Sequence, residues 1–180
     1  MLGNETLWDA ARRVHELLVE AGLPHAMVGG VAVCLHGYQR NTVDVDLLVR
    51  RDEAPQVRAL LEAEGWASID ERRELRSPGG VVLQFVLADD KAGRDAEVRF
   101  PDPGDATAVT ELEGLPVLTL ARLIESKLAC GQGDLRRTHK DFADVVELIA
   151  LQGLDGSFAR HLHKSLRETY RELVRHARGG

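Results

Sequence analysis

Two pairs of residues early in the sequence have the types and spacing that phosphate and metal chemistry requires. Gly29 and Gly30 follow a short apolar run, and thirteen residues separate them from Asp44, which is followed by Val45 and Asp46. Glycines at the start of a helix let the backbone approach a phosphate closely, and the helix N–H groups then face its charge. Aspartates at i and i+2 of a strand share one face, and Mg²⁺ prefers carboxylates that it can share with phosphates. The pattern therefore predicts a phosphate site with Asp44 and Asp46 as metal ligands.

Three further polar residues could join this site. Arg40 and Thr42 have the same parity as Asp44 and Asp46, so a strand that begins early would put all four on one face. Arg40 would then either bind phosphate or neutralise the aspartates, and the sequence leaves both open. Lys127 falls within a later amphipathic helical pattern, where it either reaches the same site or lies on a solvated face.

Two acids in the last third of the sequence have a structural and a functional interpretation. Lys140 and Asp144 are four residues apart, the spacing of an ordinary helical ion pair that needs no further role. Alternatively, Asp141 and Asp144 contribute to the site of a second substrate.

Hydrophobic spacing and turn residues predict the elements that position these side chains. Strand patterns cover 25–28, 43–49, 66–76 and 81–87, and helical patterns cover 6–21, 31–36, 52–65, 119–130, 139–151 and 157–176. A hairpin is predicted around Glu113 and Gly114, and residues 88–105 are predicted to form a long loop with one short strand at 97–100. The predicted fold class is α/β, with a core over 1–118 and a C-terminal helical region over 119–180 packed on it.

Composition narrows the function classes. The 180 residues are 44% hydrophobic but only 4% aromatic, so the core must be aliphatic. The net charge of −6 argues against a general duplex-binding surface, which needs clustered Lys and Arg. Cys34 and Cys130 both lie in apolar contexts and are predicted to be free thiols of a reducing compartment. No run of about 18 apolar residues and no basic-then-apolar start occurs, so we expect no membrane span, no signal peptide and a cytoplasmic location.

The motifs together resemble a known superfamily. The chain is similar to the nucleotidyltransferases that share the fold of DNA polymerase beta, on the residues Val28-Gly29-Gly30, Arg40-Asn41-Thr42, Asp44-Val45-Asp46 and Leu47-Leu48-Val49. The segments 118–129 and 140–145 resemble its small bacterial branch, similar to abortive-infection nucleotidyltransferase toxins. The resemblance implies a minimal mixed sheet flanked by helices. It also implies that Mg²⁺ on Asp44 and Asp46 assists transfer of a nucleoside monophosphate from a triphosphate, with Gly29, Gly30, Arg40, Thr42 and Lys127 contacting the nucleotide.

The third carboxylate that the superfamily carries on a later strand is not found at its expected position. Gln84 is the only polar residue of the run 81–87, and an amide can neither add negative charge nor accept a proton. Asp90 has the same parity but lies six residues further on, roughly 20 Å along a strand, so Asp95 or Glu97 would have to fold back from the following loop to replace the acid.

Three hypotheses remain, and the departure at Gln84 motivates the second. The first is an enzyme acting on an acceptor that is a small molecule, a tRNA or a protein. The second is a degenerate nucleotide-binding regulatory module. The third is a toxin-like member of a two-gene system, acting on tRNA or protein beside a partner protein encoded nearby.

Overall fold

The computed structural model describes residues 6–69 and 73–178, and one mixed sheet runs through them. Its seven described strands have the order β3-β4-β5-β2-β1-β7-β6. Their bounds are β1 His25–Val28, β2 Asp44–Val49, β3 Ala67–Ile69, β4 Glu74–Arg76, β5 Val82–Leu87, β6 Val109–Leu112 and β7 Leu115–Leu118. The helices are α1 Leu7–Glu20, α2 Gly29–Leu35, α3 Ala54–Ala63, α4 Leu120–Gly133, α5 Leu135–Leu151 and α6 Arg167–Arg178. The predicted α/β class is confirmed.

Strand β2 lies in the middle of the sheet and sets the geometry of the site. It pairs antiparallel with β1 and parallel with β5, and in this register Asp46 lies between Val28 on one side and Gln84 on the other. Because β1 ends at Val28 and α2 begins at Gly29, the glycine pair lies next to the aspartate strand. The sheet therefore brings the glycine pair, the two aspartates and Gln84 together on its central strands.

The core is aliphatic, as the composition predicts. Residues of β1 and β2 such as Met27 and Leu47 are fully buried, because helices and neighbouring strands cover this part of the sheet. Helix α1 begins with a capping box between Thr6 and Asp9 and buries one apolar face, which includes Leu18. Within the described residues, no helix combines the length and the apolar character that crossing a bilayer requires.

Several predicted elements have different bounds in the structure. Strand β2 begins at Asp44, so Arg40 and Thr42 precede it and are not strand residues. The pattern over 66–76 divides into β3 and β4, and residues 70–72 between them lie outside the described residues. The predicted strand at 97–100 is absent: Arg99 forms one isolated bridge with Lys91. The hairpin around Glu113 and Gly114 is confirmed as β6 and β7.

The helix predicted over 157–176 is interrupted. Two short 3₁₀ turns, Gly156–His161 and Lys164–Leu166, precede α6. His163 causes the break, because its ring accepts a hydrogen bond from the backbone of Ser165 and its own N–H donates to Glu125. Such local bonds offer the backbone an alternative to helical pairing.

Candidate active site

A cleft with two connected arms opens where α2, β2, β5, α4 and α5 meet. Both arms are bounded by five shared residues: Gly29, Asp46, Gln84, Lys127 and Arg137. The narrow arm has a volume of about 200 Å³ and adds Gly30, Arg40, Thr42, Asp44 and Lys140. The wide arm has a volume of about 440 Å³ and adds Val28, Val86, Lys91, Ala92, Gly93, Arg94, Phe100, Ser126, Cys130 and Asp141. The residues predicted from sequence to contact the nucleotide or the metal, together with Gln84, therefore all line this cleft.

The glycine pair makes room for the polar side chains behind it. Gly29 has a φ of +59°, which favours glycine, and a Cβ added there would lie 1.9 Å from Oδ2 of Asp46. A Cβ added at Gly30 would lie 2.3 Å from Oγ1 of Thr42. Both positions therefore require glycine because the backbone runs directly against Asp46 and Thr42.

Asp44 and Asp46 share a face of β2, as their spacing predicts. Both are partly buried, whereas Val45 between them points into the core and is fully buried. Burial, and then the charge of Asp44, raise the pKa of the Asp46 carboxyl to about 6, although Lys127 and other nearby cations lower it. An aspartate that is desolvated next to a second carboxylate is destabilised in its ionised form, and a bound cation would relieve that repulsion.

The donor set fits Mg²⁺ as the superfamily uses it. Within the described residues, no group of three or more His, Cys, Asp or Glu side chains is close enough to hold a metal by itself. Asp44 and Asp46 could supply two carboxylates to such an ion, and further oxygens would have to come from phosphate and water. Mg²⁺ is usually bound in this way, through one or two carboxylates plus substrate phosphates.

Gln84 faces the cleft from the strand beside Asp46. It is exposed, lines both arms and is the direct neighbour of Asp46 in the parallel pair of β2 and β5. The departure inferred from the sequence therefore lies at the cleft itself.

The loop carboxylates do not replace the missing acid. Asp90 pairs with Arg51 and Arg73, and Glu97 lies 3.8 Å from His163. Asp95 borders a separate cavity. None of these three acids lines either arm, so the idea that one of them folds back into the site is wrong. Asp90 points away from the cleft because it pairs with these exposed arginines. Sequence spacing does not predict this contact.

A buried network of charges forms the floor of the narrow arm. Lys127 is only 6% exposed, and its Nζ lies 2.9 Å from Asp141 and 2.8 Å from Asp144. Arg40 binds the same Asp144 through two hydrogen bonds of 2.7 and 3.0 Å. The interpretation of Lys127 as a solvated surface lysine is therefore wrong, and Arg40 neutralises Asp144 rather than Asp44 or Asp46. The predicted ion pair of Lys140 with Asp144 does not form, because Asp144 binds Arg40 and Lys127 instead.

Sequence reasoning missed Arg137, Lys140 and the segment around Gly93 as site residues. Arg137 lies 3.4 Å from Asp141, and a helix-face count would have found it, because 137, 140, 141 and 144 share one face of α5. Gly93 approaches α4 so closely that an added Cβ would lie 2.3 Å from the carbonyl oxygen of Ala129. A lone glycine in a loop gives little signal of such a contact.

Comparison with known proteins agrees with this geometry. The sequence model described as aminoglycoside-2''-adenylyltransferase matches residues 10–145. No curated protein sequence matches the chain.

Three solved structures illustrate the structural similarity. ANT(2'')-Ia in complex with adenylyl-2''-tobramycin is 15% identical, with a TM-score of 0.55 over 92% of this chain and 94% of its own. Lincomycin-bound LnuA, a lincosamide antibiotic adenylyltransferase, is 17% identical, with a TM-score of 0.52 over 79% of this chain and 97% of its own. A nucleotidyltransferase candidate from Thermotoga maritima is 15% identical, with a TM-score of 0.56 over 76% of this chain and 92% of its own. These similarities confirm the nucleotidyltransferase fold.

Proposed function

Because the chain belongs to the aminoglycoside-2''-adenylyltransferase family, we propose that it transfers a nucleoside monophosphate from a Mg²⁺-bound triphosphate to a hydroxyl group of an acceptor. The observation that carries the proposal is the contact of the Gly29 backbone with Asp46, next to Asp44, in a narrow arm that four cationic side chains also line. Close backbone approach, paired carboxylates and cations are what a metal–triphosphate complex needs. The family name favours ATP as the donor.

The residues of the narrow arm have separate roles in this proposal. Gly29 and Gly30 let the backbone pass directly beside Asp46 and Thr42, so the phosphates would lie next to that backbone, and Arg137 and Lys140 offset their charge. Arg40 and Lys127 are held in fixed positions by Asp144, so they act as preorganised positive charges. Mg²⁺ bound by Asp44 and Asp46 would neutralise the phosphate oxygens and lower the pKa of the attacking hydroxyl group.

The proposed reaction proceeds without a protein side chain as general base. The acceptor oxygen forms a bond to the α-phosphorus, and the bond from that phosphorus to the bridging oxygen breaks. Pyrophosphate leaves with the electron pair toward the narrow arm, and the proton of the hydroxyl group passes to water because the Gln84 amide cannot take it. General-base assistance typically contributes about 10²–10⁴-fold in rate, so turnover is expected to be slow.

The orientation of Gln84 favours a second candidate function. A nucleotide-binding module without turnover would keep Asp44, Asp46 and the glycines and would lack the third acid, and Gln84 faces the cleft where that acid would be. Both candidates share the binding step and differ only in chemistry.

Calorimetry with α,β-methylene-ATP tests the binding step. The affinity is expected to be at least about 10-fold higher with Mg²⁺ than with EDTA, because Asp44 and Asp46 would hold an ion that offsets the charge of the phosphates. The double change Asp44→Asn and Asp46→Asn is expected to remove this difference. Asp52→Asn, which changes an exposed carboxyl outside the cleft, is the matched control and should retain it. Equal affinities with and without metal in the wild type would refute the proposal.

Pyrophosphate release separates the two candidates. Gln84→Glu restores a carboxylate beside Asp46 and is expected to tighten metal binding and to raise turnover of a suitable acceptor. A wild-type protein that binds Mg²⁺–ATP tightly but releases no pyrophosphate with any acceptor is the regulatory module. If Gln84→Glu changes neither metal affinity nor rate, Gln84 has no role at the metal, and if it slows a fast wild type, another residue supplies the third ligand.

A further inference from the structure

The wide arm is the part of the cleft in which an acceptor would bind. Phosphoryl transfer proceeds with the attacking and leaving oxygens roughly in line. When pyrophosphate leaves into the narrow arm, the acceptor must approach from the other side of the α-phosphorus. The wide arm adjoins the shared residues Asp46 and Gln84, and its volume of about 440 Å³ is that of a pocket for one small molecule.

The wall of the wide arm has an excess of positive charge. Two acidic side chains line it, Asp46 and Asp141, and four cationic side chains do so, Lys91, Arg94, Lys127 and Arg137. Asp141 is already engaged by Lys127 at 2.9 Å and by Arg137 at 3.4 Å. Asp46 faces the proposed metal. No carboxylate in the wide arm is thus left to receive a cationic acceptor.

Two of these cations have no acidic partner. Lys91 and Arg94 are exposed, and within the described residues neither forms an ion pair. The acids of the same loop point elsewhere: Asp89 lies 3.9 Å from Arg99, and Asp90 pairs with arginines away from the cleft. The loop therefore presents Lys91 and Arg94 to the cleft, whereas Asp89 and Asp90 lie beside arginines that do not line it.

The segment that carries the two cations is fastened to α4. The Sγ of Cys130 donates a hydrogen bond of 2.5 Å to the carbonyl oxygen of Ala92. Gly93 is packed so closely on Ala129 that only a glycine fits. Because these contacts fall between Lys91 and Arg94, the backbone holds both side chains at the mouth of the wide arm.

We propose that the acceptor is a small hydroxyl compound that carries an anionic group, a phosphate or a carboxylate, which Lys91 and Arg94 bind. This inference rests on the proposed function and names the substrate class of the same site. The anionic group lies at the mouth of the wide arm, and the reacting hydroxyl group points to the α-phosphorus beside Asp46. A polycationic acceptor such as the tobramycin moiety of the ANT(2'')-Ia complex would instead meet like charges, which disfavour binding.

Calorimetry on the full chain saturated with Mg²⁺ and α,β-methylene-ATP tests the charge preference. The probes are glucose 6-phosphate, gluconate, neutral glucose and tobramycin. At least one anionic probe is expected to bind roughly 10-fold or more tightly than glucose and tobramycin, since charge-assisted hydrogen bonds are the strong ones, and its affinity should fall with added salt. The phosphate and carboxylate probes show which anion is preferred. Equal or tighter binding of glucose or tobramycin overturns the inference, as does failure of both anions to bind.

The double change Lys91→Gln and Arg94→Gln tests the residues. It should lower the affinity for the anionic probe by roughly 10-fold or more and leave the affinity for the Mg²⁺–nucleotide complex unchanged. Arg99→Gln, on the same loop but beside Asp89, is the control and should retain probe binding. If the double variant loses nucleotide affinity instead, the two cations serve the nucleotide and the inference is wrong.

Two further results distinguish the inference from the function on which it rests. If the wild type shows no Mg²⁺-dependent nucleotide binding, the proposed function fails before any acceptor is tested. Binding of bulk tRNA that the double variant loses, without binding of either small anion, overturns the small-molecule acceptor while leaving the nucleotide site intact.

Discussion

The two arms of the cleft differ in how their charges are balanced. In the narrow arm, the partly buried Arg40 and the buried Lys127 contact Asp144 and are held by short hydrogen bonds and ion pairs. In the wide arm, Lys91 and Arg94 extend from a loop and have no acidic partner within the described residues. The first arrangement is complete before any ligand arrives, and the second is completed by a ligand. In the proposed reaction, preorganised charge suits the triphosphate, and unpaired charge at a loop suits the acceptor.

The largest expected effect tests whether the narrow arm depends on its internal pairing. Asp144→Ala leaves Arg40 and Lys127 without their shared acid in a buried environment. Removing one partner of a buried pair costs about 3–5 kcal/mol in free energy of unfolding. Urea denaturation measures this loss. Glu147→Ala, an exposed acid on the same helix, should change stability by less than about 0.5 kcal/mol, and similar losses in both variants would contradict the account.

A smaller effect tests the close approach of the backbone to Asp46. Gly29 and Gly114 both have positive φ. A Cβ added at Gly29 would lie 1.9 Å from Asp46, whereas a Cβ added at Gly114 would have no atom within 4 Å. Gly114→Ala should therefore lower the free energy of unfolding only by the backbone strain of about 1–2 kcal/mol. Gly29→Ala should lower it by about 1–3 kcal/mol more, because the added methyl group overpacks the site. Denaturation measures both losses. Only Gly29→Ala should also abolish Mg²⁺-dependent nucleotide binding, and an unaffected site in that variant would show that the contact is not needed.

The smallest effect concerns the pH dependence of stability without metal. The pKa of Asp46 is about 6 in the fold, against an ordinary value of 3.8, so ionising it costs the folded state more than the unfolded one. Its unfavourable contribution therefore develops as the pH rises from about 4 to about 6 and persists above that range.

Asp46→Asn removes this contribution. In EDTA, its gain in stability over the wild type should grow across the same interval to the order of 2–3 kcal/mol, as thermal melts at pH 4 to 8 would show. Asp52→Asn should reproduce the wild-type profile. A gain for Asp46→Asn that is the same at every pH would mean that the carboxyl is not desolvated in the cleft.

The sequence predicted the narrow arm better than the wide arm for a physical reason. The apolar runs around Val28 and Asp46 identify two strands, and the parity of Asp44 and Asp46 fixes their common face. The wide arm depends on the course of the loop over 88–105, which is set by contacts such as that of Gly93 with Ala129. Those contacts join segments far apart in sequence, and no local pattern encodes them.

The burial of Lys127 shows the same limit. A lysine in an amphipathic helix is normally solvated, and only the packing of α4 on α5 brings Asp141 and Asp144 to its ammonium group. The division of the chain at 118 and 119 stays a prediction, and the Arg40–Asp144 pair crosses it.

The Arg40–Asp144 contact also has a consequence for the order in which the protein is made. The two residues are 104 positions apart in the chain, so at typical synthesis rates of 5–20 residues per second the ribosome adds the acid roughly 5–20 s after the arginine. During this interval the nascent N-terminal half carries the glycine pair and both aspartates of β2 but lacks the counterion that fixes Arg40. Interrupted translation before residue 144 would therefore release fragments that carry Gly29, Gly30, Asp44 and Asp46 but lack the acid that holds Arg40.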